Sequence, residues 1–283
     1  MTLDYYSIPA EDFHKHSPVD FRFVGSHAAL CQAFARELVD LMQANRKQNQ
    51  MTKIIMAVGP LDFRWFAQLC NREGVSCESL VIFSMDQYVS PNGKAFPIDH
   101  PLSFRGFYRH SLEDHLDADK MIPPEQIIMP NPEDLDEVPR KLAKYGPIDV
   151  TYGGAGIDGH YAFNFAPPEK EVSLEEFTNT SVHVADLPEA FVVQMAIGGT
   201  GGNLEVVPRK GCSLGIKELL SARMLHLPFL RPWHAGVLRR ALFGPLTPRF
   251  PITVVQLHSN VKATITAAAA ALPGFDHLQS VGK

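Results

Sequence analysis

Apolar residues recur at three- and four-residue steps after Ser26, where Leu30, Phe34, Leu38, Leu41 and Met42 fall on one face. This period predicts an amphipathic helix with Ser26 as N-cap. The pattern then changes. Residues 53–58 and 80–84 are short apolar runs without helical spacing and read as buried strands. Between them, residues 63–73 read as a helix stopped by Gly74. Pro91-Asn92-Gly93 marks a turn in a loop over 90–101. Helices are expected at 103–116 and 135–145, around a Pro- and acid-rich connector at 123–132, with a strand at 148–152. Further on, residues 191–197, 224–227 and 252–257 read as strands, and 232–243 and the Ala-rich 262–272 as helices. Residues 198–213 read as a flexible excursion or lid.

Continuous apolar strands alternating with helices predict an α/β fold: a single doubly wound, mostly parallel, Rossmann-like sheet with helices on both faces. Residues 1–25 are rich in aromatics, His and Pro without a clear period, so they read as an irregular N-terminal extension. It is expected to cover a sheet edge or to meet another subunit. Residues 26–283 read as one domain, with no internal repeat and no long linker.

A hydrophobic content of 45% and a charged content of 20% suit a sizeable core. The formal net charge of −5 argues against nucleic-acid or anionic-membrane binding. No apolar run approaches the roughly 20 residues that span a bilayer, and no secretory leader is visible. Cys31, Cys70, Cys77 and Cys212 are scattered without metal-ligand spacing, which fits reduced thiols in a cytoplasmic protein and no metal.

The candidate chemistry sits on loops after strands. Residues 153–164 read Gly-Gly-Ala-Gly-Ile-Asp-Gly-His-Tyr-Ala-Phe-Asn, directly after the apolar run at 148–152. Glycines let this turn approach a ligand closely, and Asp158 and His160 present a carboxylate and an imidazole. Asp86 follows the strand at 80–84, and Gly59 follows the strand at 53–58. In a parallel sheet all three loops emerge at one edge, so Asp86, Asp158 and His160 are expected to share a cleft and shuttle protons. Taken singly, each has a plainer reading: turn former, cap or structural histidine.

The chain resembles the glucosamine-6-phosphate deaminase family, within a broader group that includes 6-phosphogluconolactonases, over about 53–271. Met85-Asp86-Gln87-Tyr88 resembles the family's Met-Asp-Glu-Tyr. His100-Pro101-Leu102-Ser103-Phe104 and Asp114-His115 resemble its next helix. The 153–164 run resembles its Gly-Gly-x-Gly-x-Asp-Gly-His-x-Ala-Phe-Asn signature, and Gln256-Leu257-His258 resembles a Gln-Leu-His near its last strand. The resemblance implies Asp86 as the base between sugar C2 and C1, His160 in ring opening and Asp158 in support. It implies no cofactor, a small-molecule sugar or sugar phosphate as partner, and a homo-oligomer. A lactonase-type hydrolase and a non-catalytic sugar-binding protein are the competing readings.

Departures from the family pattern are concentrated on phosphate. The family's glycine-threonine loop reads Gly59-Pro60-Leu61-Asp62 here; Pro60 lacks an N–H donor and Asp62 adds negative charge. The phosphate-binding Lys aligns with His234, the Arg falls near Leu187, and the Glu supporting the histidine is Phe165. Two charge-assisted contacts, each about 1.5–3 kcal/mol, are thereby lost. Gly59, Arg64, Gln87, Gly154, Asn164 and His234 are the candidate substrate contacts, and Arg231, Arg239 and Arg240 are further cations that suit an altered anion site.

Overall fold

Ile54 and Met56 pack into one hydrophobic cluster while Ile55, between them, packs into another. A strand buried on both faces in this way requires helices above and below its sheet. The computed structural model describes residues 4–59, 61–167 and 172–274. Its strands are β1 (Asp20–Val24), β2 (Thr52–Met56), β3 (Leu80–Ser84), β4 (Asp86–Val89), β5 (Ile127–Ile128), β6 (Val150–Tyr152), β7 (His183–Asp186), β8 (Lys210–Ser213), β9 (Met224–Phe229) and β10 (Val261–Thr266). Seven form a parallel sheet in the order β1-β10-β9-β6-β2-β3-β5. The expected doubly wound α/β architecture is therefore present. A second sheet, antiparallel β4-β8-β7, stands beside it.

The helix His27–Lys47 is capped by Ser26, whose hydroxyl accepts from Ala29 N at 3.1 Å. Its inner face carries Glu37, where three register partners converge. Tyr152, His226 and Lys262 lie side by side on β6, β9 and β10. His226 Nδ1 lies 2.7 Å from Glu37 Oε1, Tyr152 Oη donates to the same oxygen at 3.0 Å, and Lys262 Nζ pairs with Oε2. His226 Nε2 meets the Thr264 hydroxyl at 2.7 Å. This network ties the helix to three strands from within the layer.

Several expected elements differ in the structure. Residues 1–25 are not wholly irregular: β1 pairs with β10 and forms the sheet edge. Its alternating residues find a ready partner in β10, and long-range pairing of this kind leaves no local period. The run at 191–197 lies in a helix, Glu189–Gly199, rather than a strand. Its inner side packs Phe191 and Val192 beside the second sheet, while Val193 and Ile197 on its outer side are 41% and 79% exposed. An apolar helix has no visible period, so its β-branched residues mislead. Residues 252–257 form part of a 3-10 helix, Pro251–Leu257, and 262–266 lie in β10. Only Ala267–Ala270 is helical there, because β1 and β9 both claim the preceding segment. The excursion at 198–213 contains β8, and β4, β5 and β7 carried no clear sequence signal.

Candidate active site

The strand order reverses between β2 and β6: from β2 the chain proceeds outward through β3 and β5, then returns to β6, β9 and β10. Such a switch point opens a crevice at the carboxyl ends of the strands. A cavity of about 530 Å³ lies there, lined by Val58 and Gly59 after β2, Asp86 after β3, Gly154 and Gly156 after β6, and His234 after β9. His160 also lines it, so the expected convergence of Asp86 and His160 is realised.

Asp86 stands where the chain leaves the parallel sheet and enters the antiparallel one. Met85 N donates to Met56 O at 2.9 Å, Met85 O accepts from Leu214 N at 2.9 Å, and the Ser84 hydroxyl donates to Asp86 O at 2.9 Å. The backbone is thus fixed on three sides. The carboxylate is 8% exposed and takes no hydrogen bond or ion pair from the described residues. Burial without compensation pushes its pKa up to about 7. A carboxyl poised near neutrality and facing a cavity suits general acid–base work.

The 153–164 turn builds the second group. Gly156 N donates to His160 O, and His160 N and Nδ1 lie 3.2 and 2.6 Å from Asp158 Oδ1. With Nδ1–H directed at Asp158, Nε2 is the ring nitrogen left open to a ligand. Burial alone would raise the Asp158 pKa, but the hydrogen bond and charge of His160 outweigh it and hold the carboxyl below the usual range. Asp158 is not in the cavity wall; it holds the imidazole that is. A Cβ at Gly156 would stand 1.8 Å from His160 Cε1. Gly156→Ala is expected to displace the ring and remove the low-field proton NMR signal of Nδ1–H; an unchanged signal would show that the ring does not depend on Gly156.

The remaining sequence-predicted contacts divide. Gly59, Gly154 and His234 line the cavity. Arg64 does not: it is exposed and makes bidentate bonds of 2.8 and 2.7 Å to Asp62. Gln87 turns away and donates to Pro130 O, because its neighbour Asp86 takes the cavity side of β4. Asn164 is buried and donates to Tyr161 O and Leu214 O, both at 2.9 Å, pinning the turn to the second sheet. His234 Nδ1 accepts from Leu230 N and Arg231 N at 2.9 and 3.1 Å, and Nε2 lies 3.2 Å from Ala155 O. Burial, opposed only in part by Ala155, lowers its pKa to about 4, so the imidazole is neutral and saturated. Pro60 lies outside the described residues.

Sequence reasoning missed the cavity's aromatic wall, to which Tyr88, Phe104, Phe163 and Phe191 contribute. Phe191 stands 5.4 Å from the His160 ring, centroid to centroid, and Phe165, outside the wall, stands 5.0 Å from it. Gln194 Oε1 accepts from Ile157 N at 2.7 Å, tying the helix Glu189–Gly199 to the 153–164 turn. Phe191 and Gln194 were hidden because that helix reads as a strand. Among the described residues, no three His, Cys, Asp or Glu side chains are grouped to hold a metal ion. None of the described helices is long and apolar enough to cross a membrane.

No protein-family model matches the chain. It is 27% identical over 259 residues to a glucosamine-6-phosphate deaminase of Thermoanaerobacter sp. (strain X514), covering 88% of this chain and 95% of the relative. It is 31% identical over 191 residues to the glucosamine-6-phosphate deaminase of Yersinia enterocolitica, 65% of each chain. A monomeric glucosamine-6-phosphate deaminase superposes with a TM-score of 0.76 at 22% identity, over 90% of this chain and 100% of that one. A 6-phosphogluconolactonase from Shewanella baltica superposes with a TM-score of 0.64 at 17% identity, over 88% and 98% of the two chains. These two likenesses establish a shared fold.

Proposed function

We propose that the chain is a divergent member of the broader group that holds glucosamine-6-phosphate deaminases and 6-phosphogluconolactonases, and that it is an aldose–ketose isomerase/deaminase acting on an amino sugar phosphate or a related sugar. The observation that carries the reading is the pairing, in one cavity, of an unpartnered buried carboxylate with a carboxylate-held imidazole. His160 Nε2 assists opening of the pyranose ring. Asp86 then takes the proton from C2 of the open-chain aldose and returns it to C1. With an amino group at C2, this leaves an imine that water hydrolyses to the ketose and ammonia. Asp158 holds His160 in the tautomer the first step needs. Positioning the open chain over Asp86 is the cavity's main contribution.

The hydrolase reading draws on the same Asp158–His160 pair, which suits activation of water on a sugar lactone, and on the fold shared with the lactonases. The two readings separate by experiment. The protein is incubated with glucosamine 6-phosphate and, separately, with a phosphorylated sugar lactone. Ammonia and ketose production lost in Asp86→Asn supports the isomerase. Lactone hydrolysis that survives Asp86→Asn and is lost in His160→Gln supports the hydrolase. Sugar binding with neither reaction overturns both and marks a sugar-binding protein, a role that Phe165 beside His160 would suit.

A further inference from the structure

Among the described residues that line the cavity, Arg231 is the one lysine or arginine. It follows β9, is half-buried, and its guanidinium has no hydrogen bond or ion pair with the described residues. The other arginines near this end of the sheet are committed elsewhere. Arg64 is locked to Asp62. Arg239 is buried and donates to the carbonyls of Ile8, Ala235, Ala270 and Ala271. Arg240 stacks 4.1 Å over the Phe250 ring.

The local backbone offers an anion little else. Leu230 N and Arg231 N are spent on His234 Nδ1, and Pro232 has no N–H. His234 carries no charge at neutral pH, partly because the Arg231 charge disfavours its protonation. The fold nevertheless makes room for the guanidinium. A Cβ at Gly198 would stand 2.8 Å from Arg231 Nη1, so the side chain lies along the glycines that end the helix Glu189–Gly199. An unpaired cation on the wall of a largely apolar cavity gains most from an oxyanion, which the planar fork can hold through two parallel bonds.

We propose that Arg231 is the anion anchor of this cavity, holding the terminal oxyanion of the sugar while its other end reaches Asp86 and His160. The shared chemistry is a carboxylate or a phosphate ester at the end of the chain. The assignment rests on the reading of this cavity as a sugar site. It singles out one of the four arginines, Arg64, Arg231, Arg239 and Arg240, that the sequence offered as substitute cations.

The test uses the full chain carrying Asp86→Asn, so that no probe is consumed, and calorimetric titration with three probes: glucosamine 6-phosphate, the corresponding 2-amino uronate, and glucosamine, which carries the same amine and no oxyanion. At least one anionic probe is expected to bind tenfold or more tighter than glucosamine. Arg231→Ala should bring that preference to within about twofold, and Arg231→Lys, which keeps charge but loses the fork, should retain part of it. Circular dichroism checks that each variant is folded. The phosphate and carboxylate arms identify which oxyanion the site takes. Equal binding of glucosamine and the oxyanion-bearing probes, no binding of either oxyanion probe, or a preference that survives Arg231→Ala overturns the anchor. Arg231-dependent binding without ammonia release or lactone hydrolysis in the otherwise wild-type chain would leave the anchor standing and remove the enzymatic reading. Turnover with no dependence of preference on Arg231 would do the reverse.

Discussion

Asp86→Asn is expected to lower kcat by roughly 100- to 10,000-fold and, at pH 8, to make the protein more stable. Both effects come from one feature, a carboxylate 8% exposed with no partner among the described residues. Ionising it there is costly, and burial pushes its pKa up to about 7. In the unfolded chain the same carboxyl titrates near 3.9. Between these values the folded state binds more protons than the unfolded one, so stability falls as pH rises from about 4 to about 7. The penalty is complete above the folded value and amounts to roughly 2–4 kcal/mol. Asparagine has the same shape and no charge, so it removes both the penalty and the base. Thermal unfolding at pH 4 and pH 8 checks this: the two proteins should unfold together at pH 4, with the variant higher at pH 8. A constant gap would contradict the assignment of the charge. In the wild type, kcat/KM should rise with pH through about 7, as the base loses its proton.

Glu37→Ala is expected to cost about 3–5 kcal/mol, the loss typical when one member of a buried ionic network is removed. The substitution strands Lys262 and leaves His226 and Tyr152 without their shared acceptor. Burial would raise the Glu37 pKa, but the hydrogen bonds and charges of His226 and Lys262 outweigh it and bring the carboxyl to about 2. The folded value is thus depressed below the unfolded one. Its contribution is present above about pH 4.5 and is lost as pH falls toward 2. Urea unfolding should show the variant less stable than the wild type at pH 7, with the difference shrinking near pH 2–3. A difference independent of pH would place the effect in packing rather than in the charge network.

The site was more legible in the sequence than the fold around it. The pairing of Asp158 with His160 is local: the hydrogen bonds that place the imidazole span two to four residues, so spacing alone exposes it. Asp86 was legible because it follows five buried residues, Leu80–Ser84, with only Met85 between. The helices His27–Lys47 and Arg64–Glu73 announced themselves through one-sided apolar faces and a cap or stop signal. What failed was non-local. β10 is a strand because β1 and β9 flank it, although its sequence runs into four alanines. The helix Glu189–Gly199 is apolar on the cavity side and on the exposed side alike, so no period marks it. Among the candidate contacts, Arg64 and Gln87 were misplaced because neither the Asp62 ion pair nor the Pro130 carbonyl can be foreseen from spacing. Arg231 drew no distinction from Arg239 and Arg240 until the structure showed which arginines already had partners.

The central claim is that Asp86 and His160 act on one sugar inside one cavity. A crystal structure with 2-amino-2-deoxyglucitol 6-phosphate, an open-chain mimic that cannot react, tests it most directly. The account predicts C1 and C2 within about 3–3.5 Å of the Asp86 carboxylate, with His160 Nε2 on the oxygen that closes the ring in the cyclic sugar. A mimic bound with these carbons away from Asp86, or with His160 touching no part of it, would contradict the account.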